Sequence, residues 1–200
     1  MSKKNTSLAV DPADLIEGVI QGKAEAQDTW FRTEYPAVYR LCLGFLANHA
    51  AADDLAQDAM LHLMDRLDRW DAARPYQAWR TTVVLNLCRD QLRKQGRRQR
   101  AEGHLRLVEQ QTQLPNPHDS AAGKEIRDVI TRALSQLSPR EREAFVLRDL
   151  EQQPTDVVAV EMEVTPATVR SLLTLARRRL RGILAPALAM GPRAAGGSDG

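Results

Sequence analysis

Hydrophobic residues recur at intervals of three and four along most of this chain, a spacing that predicts amphipathic helices. The clearest stretch lies between residues 53 and 67, where the apolar positions are Leu55, Ala56, Ala59, Met60, Leu63, Met64 and Leu67. Acidic and amide side chains occupy most of the other face, including Asp53, Asp54, Gln57 and Asp58. We therefore expect a helix with one packed side and one negatively charged side that faces solvent.

A second amphipathic helix follows a break at Pro75, because proline disfavours helix in the residue before it. Its inward positions are Trp79, Val83, Val84, Leu87, Cys88 and Leu92. Its outward positions and the residues that follow are rich in cations, namely Arg80, Arg89, Arg93, Lys94, Arg97, Arg98 and Arg100. Such a cationic array suits the phosphates of a nucleic acid.

The residues before position 53 predict two more helices, which complete an N-terminal bundle. Asp11 can cap a helix whose first residue is Pro12. The next helix carries most of the aromatic residues, which we expect to pack in the core, and it contains Pro36 as a kink or break. We predict a flexible N-terminus over residues 1–10 and a helical bundle over residues 11–95.

Helical periodicity is lost in two later parts of the chain. Residues 96–123 contain scattered glycine and proline among polar residues, which predicts a flexible linker. Residues 186–200 end in a glycine-rich tail that we expect to be disordered.

A second helical domain is predicted between these two parts, over residues 124–185. Within it, Ser138, Pro139 and Glu141 have the spacing of a capping box with proline at the first helical position. A short helix, a tight turn and an arginine-rich helix that begins after Thr165 predict a helix-turn-helix. The predicted fold class is all-α, with two small helical domains joined by a flexible linker.

Composition narrows the function classes without identifying one. The apolar share of 43% and the charged share of 27% are those of a soluble globular chain. No apolar run approaches the roughly 18 residues of a membrane span, and the N-terminus has no secretory signal, so we expect a cytoplasmic protein without a membrane span. Cys42 and Cys88 are expected to be reduced core residues.

Nothing in the sequence points to catalysis or to a bound cofactor. The four histidines lack metal-ligand spacing; they are His49, His62, His104 and His118. A phosphate-cradling glycine loop and a nucleophile elbow are both missing from the sequence. We therefore expect no enzyme activity, no metal and no cofactor.

The distribution of charge says more than the formal net charge of +2. Residues 53–71 are acid-rich, whereas residues 89–100 and 170–181 are strongly basic. A single basic run is more often a solvated helix face than a binding site. Two such runs, each at the end of a well-formed helix, favour binding to DNA.

Two stretches resemble bacterial sigma factors of the extracytoplasmic-function group. The first resembles region 2 of that family at Asp54, Gln57, Asp58, Trp79, Asn86, Asp90 and Arg93. The second resembles region 4 at Leu137, Pro139, Phe145, Leu147, Arg148, Thr168, Val169, Ser171, Leu173, Ala176, Arg177 and Leu180. Together the two stretches cover about three quarters of the chain, in the family's order.

The resemblance implies an alternative sigma factor that binds core RNA polymerase, recognises the −35 and −10 promoter elements and promotes DNA melting. Its expected partners are the clamp of the largest polymerase subunit, the flap of the second subunit, promoter DNA and an anti-sigma factor. The residues implied in polymerase binding are Asp53, Asp54, Gln57 and Asp58. Those implied at the −10 element are Asp71, Arg74, Tyr76, Arg80, Asn86, Arg89, Arg93, Arg97 and Arg98. Those implied at the −35 element are Thr165, Thr168, Arg170, Ser171, Thr174, Arg177 and Arg178.

Some positions of the second stretch depart from the family pattern. Glu163 stands where the family usually has a turn glycine, a position that often needs positive φ. Val157 and Val160 replace polar residues, and Leu172 and Leu175 replace residues that are often basic on the DNA-facing helix. They indicate either an unusual promoter sequence or a protein-binding face.

Two other functions stay open at this point. A regulator that binds DNA without initiating transcription would need only the helix-turn-helix. The acidic helix and the helix carrying Asn86, Asp90 and Arg93 argue against such a regulator, which needs neither. A sigma-like protein that binds polymerase but has lost promoter specificity would be supported only by Leu172 and Leu175.

Overall fold

The fold is that of a computed structural model, which describes residues 12–101 and 121–189. Its helices are α1 (Pro12–Ile20), α2 (Ala24–Leu46), α3 (His49–Met64), α4 (Tyr76–Ala101), α5 (Ala121–Ser135), α6 (Pro139–Phe145), α7 (Thr155–Glu161) and α8 (Pro166–Ala189). A 3-10 turn (Leu67–Arg69) follows α3, and a π-helical turn (Val146–Leu150) extends α6. These described ranges contain no strand, which confirms the all-α class.

Helices α1 to α4 form an N-terminal module in which α2 packs against the other three. Its fully buried side chains include Trp30, Leu41, Met60, Leu63, Leu67, Val84 and Leu85. Asn48 begins α3, because its side-chain oxygen accepts a hydrogen bond of 2.9 Å from the backbone N–H of Ala51. Leu55, Ala56, Ala59, Met60 and Leu63 are buried, so the apolar face predicted for α3 is the packed face.

The sequence indicated a kink or a break at Pro36; helix α2 is continuous through this residue, which excludes the break, and the kink stays a prediction. Proline removes one backbone donor, which leaves the carbonyl of Arg32 without its intrahelical partner. Pro36 and Arg32 are both exposed, so water can hydrate that carbonyl. The missing backbone hydrogen bond therefore costs too little to interrupt the helix.

Helices α5 to α8 form the C-terminal module, and the predicted capping box is present at the start of α6. The Ser138 hydroxyl accepts from the N–H of Glu141 at 3.3 Å, and the N–H of Ser138 donates to the Glu141 carboxylate at 2.8 Å. Thr165 caps α8 in a similar way, because its hydroxyl accepts from the N–H of Thr168 at 3.1 Å. Helices α7 and α8 with the turn between them form the expected helix-turn-helix.

The ends of two helices differ from the sequence-based boundaries. Helix α4 continues to Ala101, so the segment predicted as a linker over residues 96–123 begins inside that helix. Helix α8 continues to Ala189, so the first residues of the predicted tail are helical. The arginines and glutamines of α4 are good helix formers, and Gly96 costs the helix only about 1 kcal/mol. The predictions for residues 1–10, 102–120 and 190–200 lie outside the described residues.

The two modules share one hydrophobic core. Val146 and Leu147 of the π-helical turn are fully buried in the same cluster as Leu41 and Phe45 of α2. A smaller cluster between α5 and α8 contains Leu134, Leu137, Ala176 and Leu180. The fold is therefore two modules packed against each other along α2.

The contact between the two modules is called the seam below. Glu161, at the end of α7, carries a half-buried carboxyl group near it. Its Oε2 atom has no hydrogen-bond partner among the described residues. Burial raises the pKa of the Glu161 carboxyl above its ordinary value, and the Arg89 guanidinium opposes this shift only in part. The charged form of Glu161 is therefore disfavoured in the folded protein.

Replacing Ser138 by Ala should lower the free energy of unfolding by about 1 kcal/mol, because the first turn of α6 loses an acceptor. The measurement is urea unfolding followed by circular dichroism. Ser171→Ala is the matched control, since Ser171 is an exposed helical residue that caps nothing. Equal stability of the two variants would contradict a contribution from the capping box.

Replacing Glu161 by Gln should raise the free energy of unfolding at pH 7. A carboxyl whose pKa is higher in the folded state than in the unfolded state loses its stabilising contribution as the pH rises through the folded pKa. The gain should therefore shrink as the pH falls towards about 4, the ordinary range of a glutamate pKa. Urea unfolding across this pH range is the measurement. A gain of the same size at pH 7 and at pH 4 would rule out the effect of burial.

Candidate nucleic-acid and polymerase interfaces

The predicted polymerase-binding residues all lie on the exposed side of α3. Asp53, Asp54, Gln57 and Asp58 are exposed, whereas Leu55, Ala56 and Ala59 between them are buried. This alternation follows from the helical period, which places the two groups on opposite sides of α3. The result is a solvated patch of three carboxylates and one amide.

Asp53 differs from its neighbours because two side chains hold its carboxylate. The Tyr35 hydroxyl donates to one oxygen at 2.6 Å, and the Gln57 amide donates to the other at 3.1 Å. Phe31 stacks on Tyr35 with ring centroids 5.3 Å apart, and Phe31 is exposed rather than in the core as expected. No signal in the sequence indicated that Tyr35 holds Asp53, because a tyrosine at helical spacing is typical of a core residue.

The loop between the 3-10 turn and α4, which carries the predicted −10 residues Asp71 and Arg74, is internally bonded. Asp71 accepts from the N–H of Ala73 at 3.0 Å and forms a 3.6 Å ion pair with Arg74. The indole N–H of Trp70 donates to the carbonyl of Arg74 at 3.0 Å. These bonds give the loop a defined backbone, while the side chains of Asp71 and Arg74 stay exposed.

Tyr76 is part of an aromatic cluster at the start of α4. Its hydroxyl accepts from the indole N–H of Trp30 at 3.1 Å, and its ring meets Trp70 edge-on at 5.5 Å. Trp79 packs on its other side at 5.7 Å. Burial raises the pKa of the Tyr76 hydroxyl. The Tyr76 ring therefore packs internally, and Trp79 is a packing residue as expected.

The C-terminal half of α4 presents the predicted cationic surface. Asn86, Arg93, Arg97 and Arg98 are exposed. Asp90 forms a 2.5 Å hydrogen bond with Arg93, which holds the pKa of that carboxyl below its usual value. Asp90 thus orients the side chain of Arg93.

Arg80 and Arg89 of α4 lie instead at the seam between the two modules. Arg80 is only 7% exposed and donates to Glu34 at 2.9 Å and to Glu151 at 3.2 Å. Arg89 donates to the Glu143 carboxylate at 2.8 Å and to the carbonyl of Glu161 at 2.7 Å. Arg80 is thus enclosed, whereas the side chain of Arg89 is 30% exposed although its guanidinium is bonded to the second module.

On α8 the predicted −35 residues divide into exposed and internally bonded ones. Thr168, Arg170, Ser171 and Arg178 are exposed on the helix surface. Thr165 bonds Thr168, and the Thr174 hydroxyl donates to the carbonyl of Arg170 at 2.9 Å.

Arg177 of α8 is tied to its own module. It donates twice to Asp149 of the π-helical turn, at 2.9 and 2.6 Å. Arg179 likewise pairs with the capping-box Glu141 at 3.1 Å. Arg170, Arg178 and Arg181 are exposed and form no ion pair with a described residue, so they are the freer cations of this helix.

The unusual residues of the helix-turn-helix have distinct environments. Glu163 has φ of 55°, which is the left-handed conformation expected at this turn. Leu172 packs against the core, so it is not a DNA-facing residue. Leu175 and Val160 are exposed, Val160 at 79% of its surface.

Metal sites and membrane-spanning helices are both missing from the described residues. Within residues 12–101 and 121–189, no group of three or more His, Cys, Asp or Glu side chains could hold a metal ion. In the same ranges, no helix has the length and apolar character needed to cross a membrane.

Two family profiles match this chain and together span both modules. The profile described as Sigma-70 region 2 matches residues 30–98, and the one described as Sigma-70, region 4 matches residues 127–180. The first contains the acidic patch of α3 and the cationic surface of α4. The second contains the helix-turn-helix.

Similar proteins and structures come from several bacteria. ECF RNA polymerase sigma factor SigE of Mycolicibacterium smegmatis is 29% identical, over 88% of this chain and 71% of its own length. ECF RNA polymerase sigma factor SigW of Bacillus subtilis is 22% identical, over 72% and 81%.

Among solved structures, the sigma factor RpoE in complex with the anti-sigma factor NepR from Bartonella quintana is similar with a TM-score of 0.61. It is 25% identical, over 79% of this chain and 96% of that one. CnrH in complex with the cytosolic domain of CnrY has a TM-score of 0.56 at 20% identity, over 86% and 96%, which shows a shared fold. With both regions present in the family's order, this chain belongs to the extracytoplasmic-function group of the sigma-70 family of bacterial RNA polymerase sigma factors.

Proposed function

We propose that this protein is an alternative sigma factor, which binds core RNA polymerase in the cytoplasm and directs it to promoters by contacts to the −35 and −10 elements. The observation that carries this proposal is the presence of both sigma regions on one chain, each with exposed charge where its partner would bind. The protein acts by binding, so it needs neither a catalytic group nor a cofactor.

The acidic patch of α3 is the surface proposed to dock on the clamp of the largest polymerase subunit. Asp54 and Asp58 are exposed and form no ion pair with a described residue, so both carboxylates can meet cations of a partner. Asp53 is held by Tyr35 and Gln57, which fixes its direction before binding. A fixed charge loses less side-chain entropy on binding than a mobile one.

The loop before α4 and the exposed end of α4 are proposed to hold the melted −10 element. A base that leaves the stack costs a few kcal/mol, which contacts in a pocket can recover. Asp71, Arg74 and Asn86 can offer such contacts. The ring of Tyr76 supports the loop through its edge-on contact with Trp70. Arg93, Arg97 and Arg98 would hold the phosphates of the strand.

The N-terminal half of α8 is proposed to enter the major groove of the −35 element. Thr168, Arg170 and Ser171 lie near the helix start, where a recognition helix reads base edges. Arg178 lies further along and suits a phosphate. Thr165, Thr174 and Arg177 support this helix through bonds within the module.

The unusual apolar residues of the second module can instead form a protein-binding face. Val160 and Leu175 leave apolar surface exposed on α7 and α8, which DNA would not require. The similar sigma factor RpoE from Bartonella quintana is in complex with the anti-sigma factor NepR. We propose an anti-sigma factor, or the flap of the second polymerase subunit, as the partner of this face.

Replacing Asp54 and Asp58 by Lys should weaken the binding of core RNA polymerase by about tenfold or more, since two carboxylates become repulsive cations. Affinity for purified core enzyme is the measurement, with circular dichroism to check folding. The matched control places the same charge changes on α1, at the exposed Asp14 and Glu17. Equal affinity of both double variants would remove the docking role of α3.

Replacing Arg170 and Arg178 by Ala should weaken duplex DNA binding and reduce its salt dependence. Each phosphate contact that is lost lowers the slope of log K against log salt by about 0.9. Arg177→Ala should change the slope less, because Asp149 already neutralises Arg177. Salt titrations of duplex affinity test both expectations, and an unaltered slope in the double variant would favour the protein-binding use of α8.

A further inference from the structure

The two cysteines of the chain meet in the core of the N-terminal module. Cys42 lies in the C-terminal half of α2 and Cys88 in the middle of α4, and these two helices pack directly against each other. Both side chains are 0% exposed and belong to one hydrophobic cluster. The Cys88 thiol acts as a hydrogen-bond donor towards the sulfur of Cys42. The two thiols are therefore direct neighbours, although they are distant along the chain.

Both cysteines are free, so the pair at rest consists of two thiols. The hydrogen bond to Cys42 raises the pKa of the Cys88 thiol well above its ordinary value, and burial raises it further. Cys88 therefore keeps its proton at neutral pH. A buried protonated thiol packs like a small apolar side chain and stays inert until an oxidant reaches it.

The pair has no use as a metal site and has a single possible partner for each sulfur. In the part of the chain that the structure describes, Cys42 and Cys88 are not joined by a third His, Cys, Asp or Glu that could complete a metal site. The sequence contains no cysteine besides these two. Oxidation within one molecule therefore has only one disulfide as its product.

We propose that Cys42 and Cys88 form an oxidation site, at which hydrogen peroxide converts the two thiols into a disulfide between α2 and α4. The sulfur of Cys42, which accepts the hydrogen bond, attacks one peroxide oxygen. The O–O bond breaks, one water leaves, and Cys42 becomes a sulfenic acid. The sulfur of Cys88 then displaces the hydroxyl group of that acid, which leaves as a second water with the Cys88 proton. The two thiols lose two electrons, and the peroxide is reduced to water.

The packing around the pair decides which molecules can react with it. Val38 and Val84 lie one helical turn before each cysteine and are also 0% exposed, so apolar side chains enclose the sulfur atoms. Hydrogen peroxide is little larger than water and can enter through local fluctuations of the core. A thiol reductant such as glutathione is much larger, and it has to touch a sulfur atom for exchange. The disulfide should therefore form slowly and persist once it has formed.

The disulfide would join two helices that support proposed partner surfaces. Helix α2 carries Tyr35, which holds Asp53 of the acidic patch, and α4 carries the exposed cations Arg93, Arg97 and Arg98. A cross-link between distant positions removes conformational freedom from the unfolded chain. Oxidation should therefore keep the N-terminal module folded under conditions that unfold the reduced protein.

Mass spectrometry of the full chain after treatment with hydrogen peroxide tests whether the bond forms. Catalase stops the reaction, and the protein is then unfolded and alkylated. We expect the loss of both alkylation sites, the loss of two hydrogen atoms, and a peptide pair linked through Cys42 and Cys88. Cys42→Ala and Cys88→Ala are matched controls, since neither can form the bond. Sulfinic acids without a linked peptide pair, disulfides between two molecules, or two thiols that can still be alkylated would overturn the proposal.

Thermal unfolding tests whether the bond fits the folded core. The oxidised chain should unfold at a higher temperature than the same sample after complete reduction in denaturant. Cys42→Ala and Cys88→Ala should show no rise on the same treatment. Each variant is compared with itself before and after peroxide, so a loss of stability from the substitution alone does not affect the result. A disulfide that forms without raising the unfolding temperature would contradict a bond between packed neighbours.

Reduction by glutathione tests the enclosure of the bond. We expect the disulfide to be lost in unfolding concentrations of urea and to survive for the same time in native buffer. Equal rates in both would overturn a site that is enclosed in the core. These measurements need neither polymerase nor DNA, so their outcome is independent of the proposed sigma-factor function.

Discussion

The burial of the C-terminal end of α2 is the constraint on which both modules depend. All six residues from Leu41 to Leu46 are buried, so this part of the helix is covered on every side. A helix that is apolar all round is stable in water only when other elements enclose it. Helices α3 and α4 cover one side of it, and the start of the second module covers the rest.

The charges of the seam follow from that burial. A guanidinium that leaves water needs partners at close range, because an unpaired buried charge is strongly destabilising. Arg80 has carboxylates from α2 and from the second module, and Arg142 has backbone carbonyls at two helix ends. Burial lowers the pKa of Arg142, and Nε atoms of both arginines have no partner among the described residues. These pairs therefore determine the relative orientation of the two modules more than they raise the free energy of unfolding.

The sequence predicted what depends on neighbouring residues and failed where contacts join distant ones. Helical spacing was sufficient for the packed face of α3, and the Ser138 capping box could be read from four consecutive residues. The bonds of Arg80 and Arg89 to the second module join residues 71 and 54 positions apart, which no local pattern encodes. In the sequence, both arginines are indistinguishable from the exposed Arg93. The one local signal of a seam was the apolar run from Leu41 to Leu46, interrupted only by Gly44.

The position of the seam leaves two of the three proposed binding surfaces exposed. A contact that covered α3 would hide the surface proposed to dock on polymerase, and one that covered the start of α8 would hide the surface proposed for duplex DNA. The seam covers part of α4 instead, which is the surface proposed for the unpaired strand. Capture of an unpaired strand at that surface has to offset a few kcal/mol for each base that leaves the stack.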